Sequence, residues 1–158
     1  MGTPSERPAV TGVQLRVFAY ATEDETKVER ALRNAIPSDV AGVKFISQKL
    51  TGHFRDPITV ITAEIRRDKD ATRVFQATVR ALPTLDRHRL IEEIGDRTDK
   101  SGNLYLRLDK QRVLAGVETL NDVDPVRIKF RFRVPHGEDP TSFIRTAIEA
   151  VLDENAEE

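Results

Sequence analysis

The stretch "VRIKFRFRV", Val126 to Val134, alternates without interruption between apolar and basic residues. Val126, Ile128, Phe130, Phe132 and Val134 fall on one parity; Arg127, Lys129, Arg131 and Arg133 fall on the other. Successive side chains of a β-strand point to opposite faces, so this segment predicts a strand with one apolar and one wholly cationic side. The apolar side needs a layer to cover it, and the cationic side must stay in water. That requirement points to a sheet packed on one face only, which antiparallel sheets tolerate.

The rest of the chain supplies the covering layer. "VQLRVFAYA" (Val13–Ala21) alternates as a strand, with Val13, Leu15, Val17 and Ala19 on one side. Thr22 to Glu25 reads as a capping box opening a helix with the stripe Val28, Ala31, Leu32, Ala35, closed at Ile36-Pro37. Two strands follow, at about 43–51 and 58–66, joined by the loop "GHFRDP". Val74, Phe75, Val79 and Leu82 mark a helix that stops at Pro83, and Thr84 is the expected cap of another carrying Leu85, Leu90, Ile91 and Ile94. "DKSGN" (Asp99–Asn103) is a turn leading into the alternating "LYLRL", and the opening strand comes next. Asp139 as N-cap with Pro140 behind it starts a final helix, with Phe143, Ile144, Ala147, Ile148, Val151 and Leu152 on its buried side. The order β-α-β-β-α-α-β-β-α predicts an α+β two-layer sandwich, a mainly antiparallel sheet with helices on one face.

Length and composition fit one domain of 158 residues that needs no staples. We expect a disordered tail over residues 1–10, a single domain over 11–153 and an acidic tail over 154–158. With no cysteine, thiol nucleophiles and zinc-thiolate sites are excluded. The absence of long apolar runs and of a signal-like N-terminus predicts a cytoplasmic protein with no membrane association. The net charge of -1 hides an uneven layout: Glu149, Asp153, Glu154, Glu157 and Glu158 close the chain with no base among them. Without that end the balance is positive, which permits an anionic partner.

No glycine-rich phosphate loop, nucleophile elbow or HExxH motif occurs, and His53, His88 and His136 lack metal-ligand spacing. The expectation is a non-enzyme with no cofactor and no metal. On the open face, Arg127, Lys129, Arg131 and Arg133 would be joined from the neighbouring strand by Tyr105 and Arg107, and by parity from the first strand by Arg16, Phe18 and Tyr20. Cations interleaved with aromatic rings on an exposed sheet are what RNA-binding sheets use, the former for phosphate and the latter for bases. Four cations with no acid among them exceed what solubility requires of a strand. Lys110 and Arg112 extend the expected RNA-binding set, with Tyr105 as a stacking ring and Gly52, His53 and Arg55 as a secondary patch. The rival expectation is a protein-interaction module that dimerises or docks a partner through the same face.

Three blocks carry a resemblance: "LTGHFRDPITVITAEI" (Leu50–Ile65), "GNLYLRLDKQ" (Gly102–Gln111) and "VFAYATEDETKVERALRN" (Val17–Asn34). Together they resemble an archaeal family of exosome-associated RNA-binding proteins, with a fold likened to a double-stranded-RNA-binding domain or a small ribosomal-protein domain. The resemblance spans about Val13 to Leu152, and Arg112 stands where the family has a small or aromatic residue. It implies RNA as the partner, with exosome or ribosome-assembly proteins beside it, and no catalytic residues. Monomer and homodimer are both compatible with it.

Overall fold

The computed structural model describes residues 9–51 and 56–156, with the side chains through Asp153. The expected strands and helices form, with ends shifted by up to three residues: β1 (Val10–Tyr20), α1 (Glu25–Asn34), β2 (Lys44–Thr51), β3 (Pro57–Ile65), α2 (Asp68–Ala81) and α3 (Thr84–Glu92), then α4 (Ile94–Arg97), β4 (Asn103–Asp109), α5 (Lys110–Leu114), β5 (Pro125–Phe132) and α6 (Pro140–Ala156). The short helices α4 and α5 are additions to the expected order. All pairings are antiparallel, in the order β2-β3-β1-β5-β4. The architecture is the α+β two-layer sandwich.

Parity decides the layers. Val13, Leu15, Val17 and Ala19 of β1, Ile61, Ala63 and Ile65 of β3, Leu104, Leu106 and Leu108 of β4, and Val126, Ile128, Phe130 and Phe132 of β5 are all buried. Over them lie the helices, with Leu32 from α1, Val74, Phe75 and Val79 from α2, and Ile144 and Ile148 from α6. Phe75 meets Phe130 and Phe132 edge-on, with ring centroids 5.4 and 5.2 Å apart. This is a favoured arrangement for aromatic pairs.

Two helix starts differ from expectation. Asp24, not Thr22, caps α1, its carboxylate accepting from the Thr26 amide at 2.9 Å. Pro83 holds the cap position of α3 with no side-chain hydrogen bond, leaving Thr84 as the first helical residue. In both cases a neighbour has the extended backbone that a cap needs. The last helix starts as expected: Asp139 accepts from the amide and hydroxyl of Ser142.

Candidate nucleic-acid interface

The antiparallel register sets open-face residues into rows across the strands. Arg16 lies opposite Arg127 in the β1–β5 pair, and Arg127 lies opposite Arg107 in the β5–β4 pair. Three arginines therefore stand side by side on three adjacent strands, about 4.8 Å from one strand to the next. The row on one side of it contains Gln14, Lys129 and Tyr105, and beyond that Arg131 faces Asn103. Like charges placed directly opposite each other weaken a sheet. Arg107 is eased by Asp122 at 3.8 Å, and the Arg127 guanidinium sits 5.5 Å from the Phe18 ring. Arg16, Arg127 and Arg131 have no ion-pair partner among the described residues.

Tyr105 is held rather than loose. It is 41% exposed, and its hydroxyl donates to Asp99 at 2.8 Å. That bond raises the phenol above its ordinary pKa. Burial pushes the Asp99 carboxyl upward, but hydrogen bonds from Asn103, Tyr105 and Ser101 outweigh it and hold the group below the usual carboxylate range. The Lys129 ammonium lies 6.0 Å from the Tyr105 ring centre.

The other expected site residues are dispersed. Lys110 is buried: its ammonium reaches Glu23 at 2.9 Å and Asp124 at 2.6 Å, and donates to the Phe18 carbonyl at 3.1 Å. Burial works against its charge, yet bonds to Asp124 and Glu23 raise its pKa overall. The expected phosphate ligand is thus an internal tie between α5, the β1–α1 turn and the β5 approach. Arg133 lies past the end of β5 and pairs with Asp68 of α2 at 2.8 Å. Arg112 is exposed on α5, which packs against α1 in the helical layer, off the arginine row. Gly52, His53 and Arg55 lie outside the described residues. Arg16, absent from the expected set although its parity placed it on this face, completes the row.

The opposite corner of the open face is apolar. Leu50 of β2 is 44% exposed and lies opposite Ile58, which faces Tyr20, while Val60 faces Phe18; Ile46, 45% exposed, lies opposite Thr62. Among the described residues no cluster of His, Cys, Asp or Glu could hold a metal ion, and no helix is long and apolar enough to cross a membrane.

Comparisons with known proteins give this surface a context. A family model described as RNA binding matches residues 12–134. The RNA-binding protein PAB1135 of Pyrococcus abyssi is 33% identical over 124 residues, 75% of this chain and 80% of that protein. Mth689, a DUF54 protein from Methanothermobacter thermautotrophicus, has a similar structure, with a TM-score of 0.73 and 28% identity, covering 91% of this chain and 98% of that one. Protein AF2318 from Archaeglobus fulgidus shares the fold at a TM-score of 0.76 with 21% identity, covering 87% and 98%. With the family match covering residues 12–134 and a relative one-third identical, the chain belongs to this archaeal RNA-binding family.

Proposed function

We propose that the open sheet face binds the RNA sugar-phosphate backbone, and that the protein is a non-catalytic cytoplasmic accessory in RNA processing or decay, working beside the exosome. The observation that carries the reading is the Arg16–Arg127–Arg107 row. A fold that sets three guanidiniums in register, at a cost to the sheet, is suited to an anion that neutralises them together. Lys129 and Arg131 continue the positive surface along β5, and side chains two residues apart stand about 7 Å from each other. This is of the order of the phosphate spacing of a nucleic-acid strand. The family's RNA-binding description and the name of the Pyrococcus abyssi relative support the same partner.

A second reading rests on the apolar corner. Antiparallel pairing of β2 with a second copy about Gln48 would set Ile46 opposite the other copy's Leu50, covering both. Measuring RNA affinity against salt, with sedimentation of the same samples, separates the two. Backbone binding by about four cations predicts a log K–log salt slope of roughly -3 for single strands, carried by a monomer. Arg16→Gln with Arg127→Gln should cost about ten-fold per arginine and flatten that slope. A salt-independent affinity, or a double variant that binds as wild type, would sink the backbone reading. Concentration-dependent dimers with no RNA shift would favour pairing along β2.

A further inference from the structure

Beside the arginine row the open face is hollow. A cavity of about 370 Å³ is lined by Arg16, Arg107, Arg127, Lys129, Tyr105 and Asp96, with Gln14 among its lining residues. Its volume is within the range of small-ligand pockets, which run from about 300 to 1,000 Å³. Its wall is not uniformly cationic. Tyr105 offers a ring and the exposed Asp96 a carboxylate, an acceptor-only group that repels phosphate but accepts from the N–H groups of a base. The Arg16–Arg127–Arg107 row supplies cations for phosphate, and the adjacent row sets the Tyr105 ring beside Lys129 and Gln14.

The geometry points to a nucleobase subsite: one unpaired base of single-stranded RNA stacks on Tyr105 while its flanking phosphates lie on the Arg16–Arg127–Arg107 row. This rests on the backbone-binding reading above and adds the strandedness of the RNA. Three observations support it. The Tyr105 ring is fixed in advance by its hydroxyl bond to Asp99, so little freedom is lost when a base lands on it. Tyr105 is on the edge strand β4, so the sheet gives it a neighbouring strand on one side only, that of Lys129. A duplex keeps its bases paired and stacked on one another, whereas an unpaired base can be splayed out onto a ring.

The test compares three RNAs of equal length by fluorescence anisotropy: a single strand of mixed sequence, the same backbone with abasic sites throughout, and a blunt duplex. The wild-type protein should prefer the base-bearing single strand to the abasic one by about ten-fold, the scale of one stacked base. Tyr105→Thr should erase that preference while keeping the affinity for the abasic strand, and Tyr105→Phe should keep most of the preference. Equal wild-type binding to the duplex and the single strand, or an undiminished preference in Tyr105→Thr, would overturn the subsite. The Arg16→Gln/Arg127→Gln variant distinguishes the two failures. If it loses all three RNAs while Tyr105→Thr changes nothing, the backbone reading stands and only the base subsite falls; if it binds all three as wild type, the backbone reading itself fails.

Discussion

At the scale of single residues, the cations of this chain divide by what they touch. Lys110 has the chemistry of a phosphate ligand and the position of a core strut, closed in by Glu23 and Asp124. Lys110→Met would leave those two carboxylates without their counter-charge. Because both keep some contact with water, the expected loss is about 3 kcal/mol, the low end for breaking a buried pair. RNA affinity should fall only as far as the folded fraction does; chemical denaturation alongside binding checks this. Glu118 is the opposite case, a carboxyl with a buried oxygen that has no hydrogen-bond partner. Burial pushes its pKa from 4.5 up to about 7. A carboxyl whose folded pKa is raised favours the fold while protonated. Its contribution is complete below about pH 4.5, shrinks as pH rises to about 7, and is absent above. The swing is at most about 3 kcal/mol. Glu118→Gln should therefore flatten the difference in denaturation midpoint between pH 5 and pH 8, and a variant with an unchanged difference would assign that pH dependence to other groups.

At the scale of elements, the turn before β4 sets the arginine row's outer strand. Gly102 has φ of +87°, and a Cβ there would stand 3.1 Å from a Val134 methyl and 3.2 Å from the Phe132 carbonyl oxygen. The Phe132 amide also donates to the Gly102 carbonyl at 2.8 Å. Gly102→Ala is expected to lose about 1–3 kcal/mol, read as a lowered denaturation midpoint. The turn shows how the resemblance block "GNLYLRLDKQ" is used: Gly102 makes the turn, Leu104, Leu106 and Leu108 fill the core, Asp109 caps α5 and Lys110 ties elements together. Only Tyr105 and Arg107 of the block reach the open face as large side chains. Much of this was legible in the sequence. Alternation along β1, β4 and β5 gives the faces, and the 3.6-residue stripes of α1, α2 and α6 give their cover. The rest was not, for definable reasons. Four or five residues of α4 or α5 are too few to show a period. Parity names the face of Arg16 but not its cross-strand partners, which depend on the β1–β5 register. Nothing local to Lys110 reveals Glu23, or local to Arg133 reveals Asp68, since those acids arrive from distant parts of the chain.

At the scale of the whole molecule, the sheet divides its two open-face characters between its ends. The β2–β3 end carries the apolar corner of Leu50, Ile58 and Val60 and the β5–β4 end is cationic, with β1 carrying both, Phe18 and Tyr20 beside Arg16. This distribution explains how a chain of net charge -1 presents a positive surface: Asp68, Glu93 and Asp122 pair with cations at its margins or on the helices, and leave the centre of the row to arginine.

The position of β5 has a consequence in time. Among the described residues it is the last strand, yet it sits between β1, the first, and β4. Arg16 therefore meets Arg127 only after more than a hundred intervening residues have been made. At about 5–20 residues per second of synthesis, β1 and β4 wait for seconds before the strand that joins them emerges. During that wait the arginine row does not exist, so on the proposed reading a nascent chain lacks its RNA-binding surface. Binding competence should thus appear together with the finished sheet and not before it. In refolding from denaturant, RNA anisotropy and the circular dichroism of the sheet are expected to rise with one rate constant. A binding phase that precedes the sheet signal would mean that the cations act without their register.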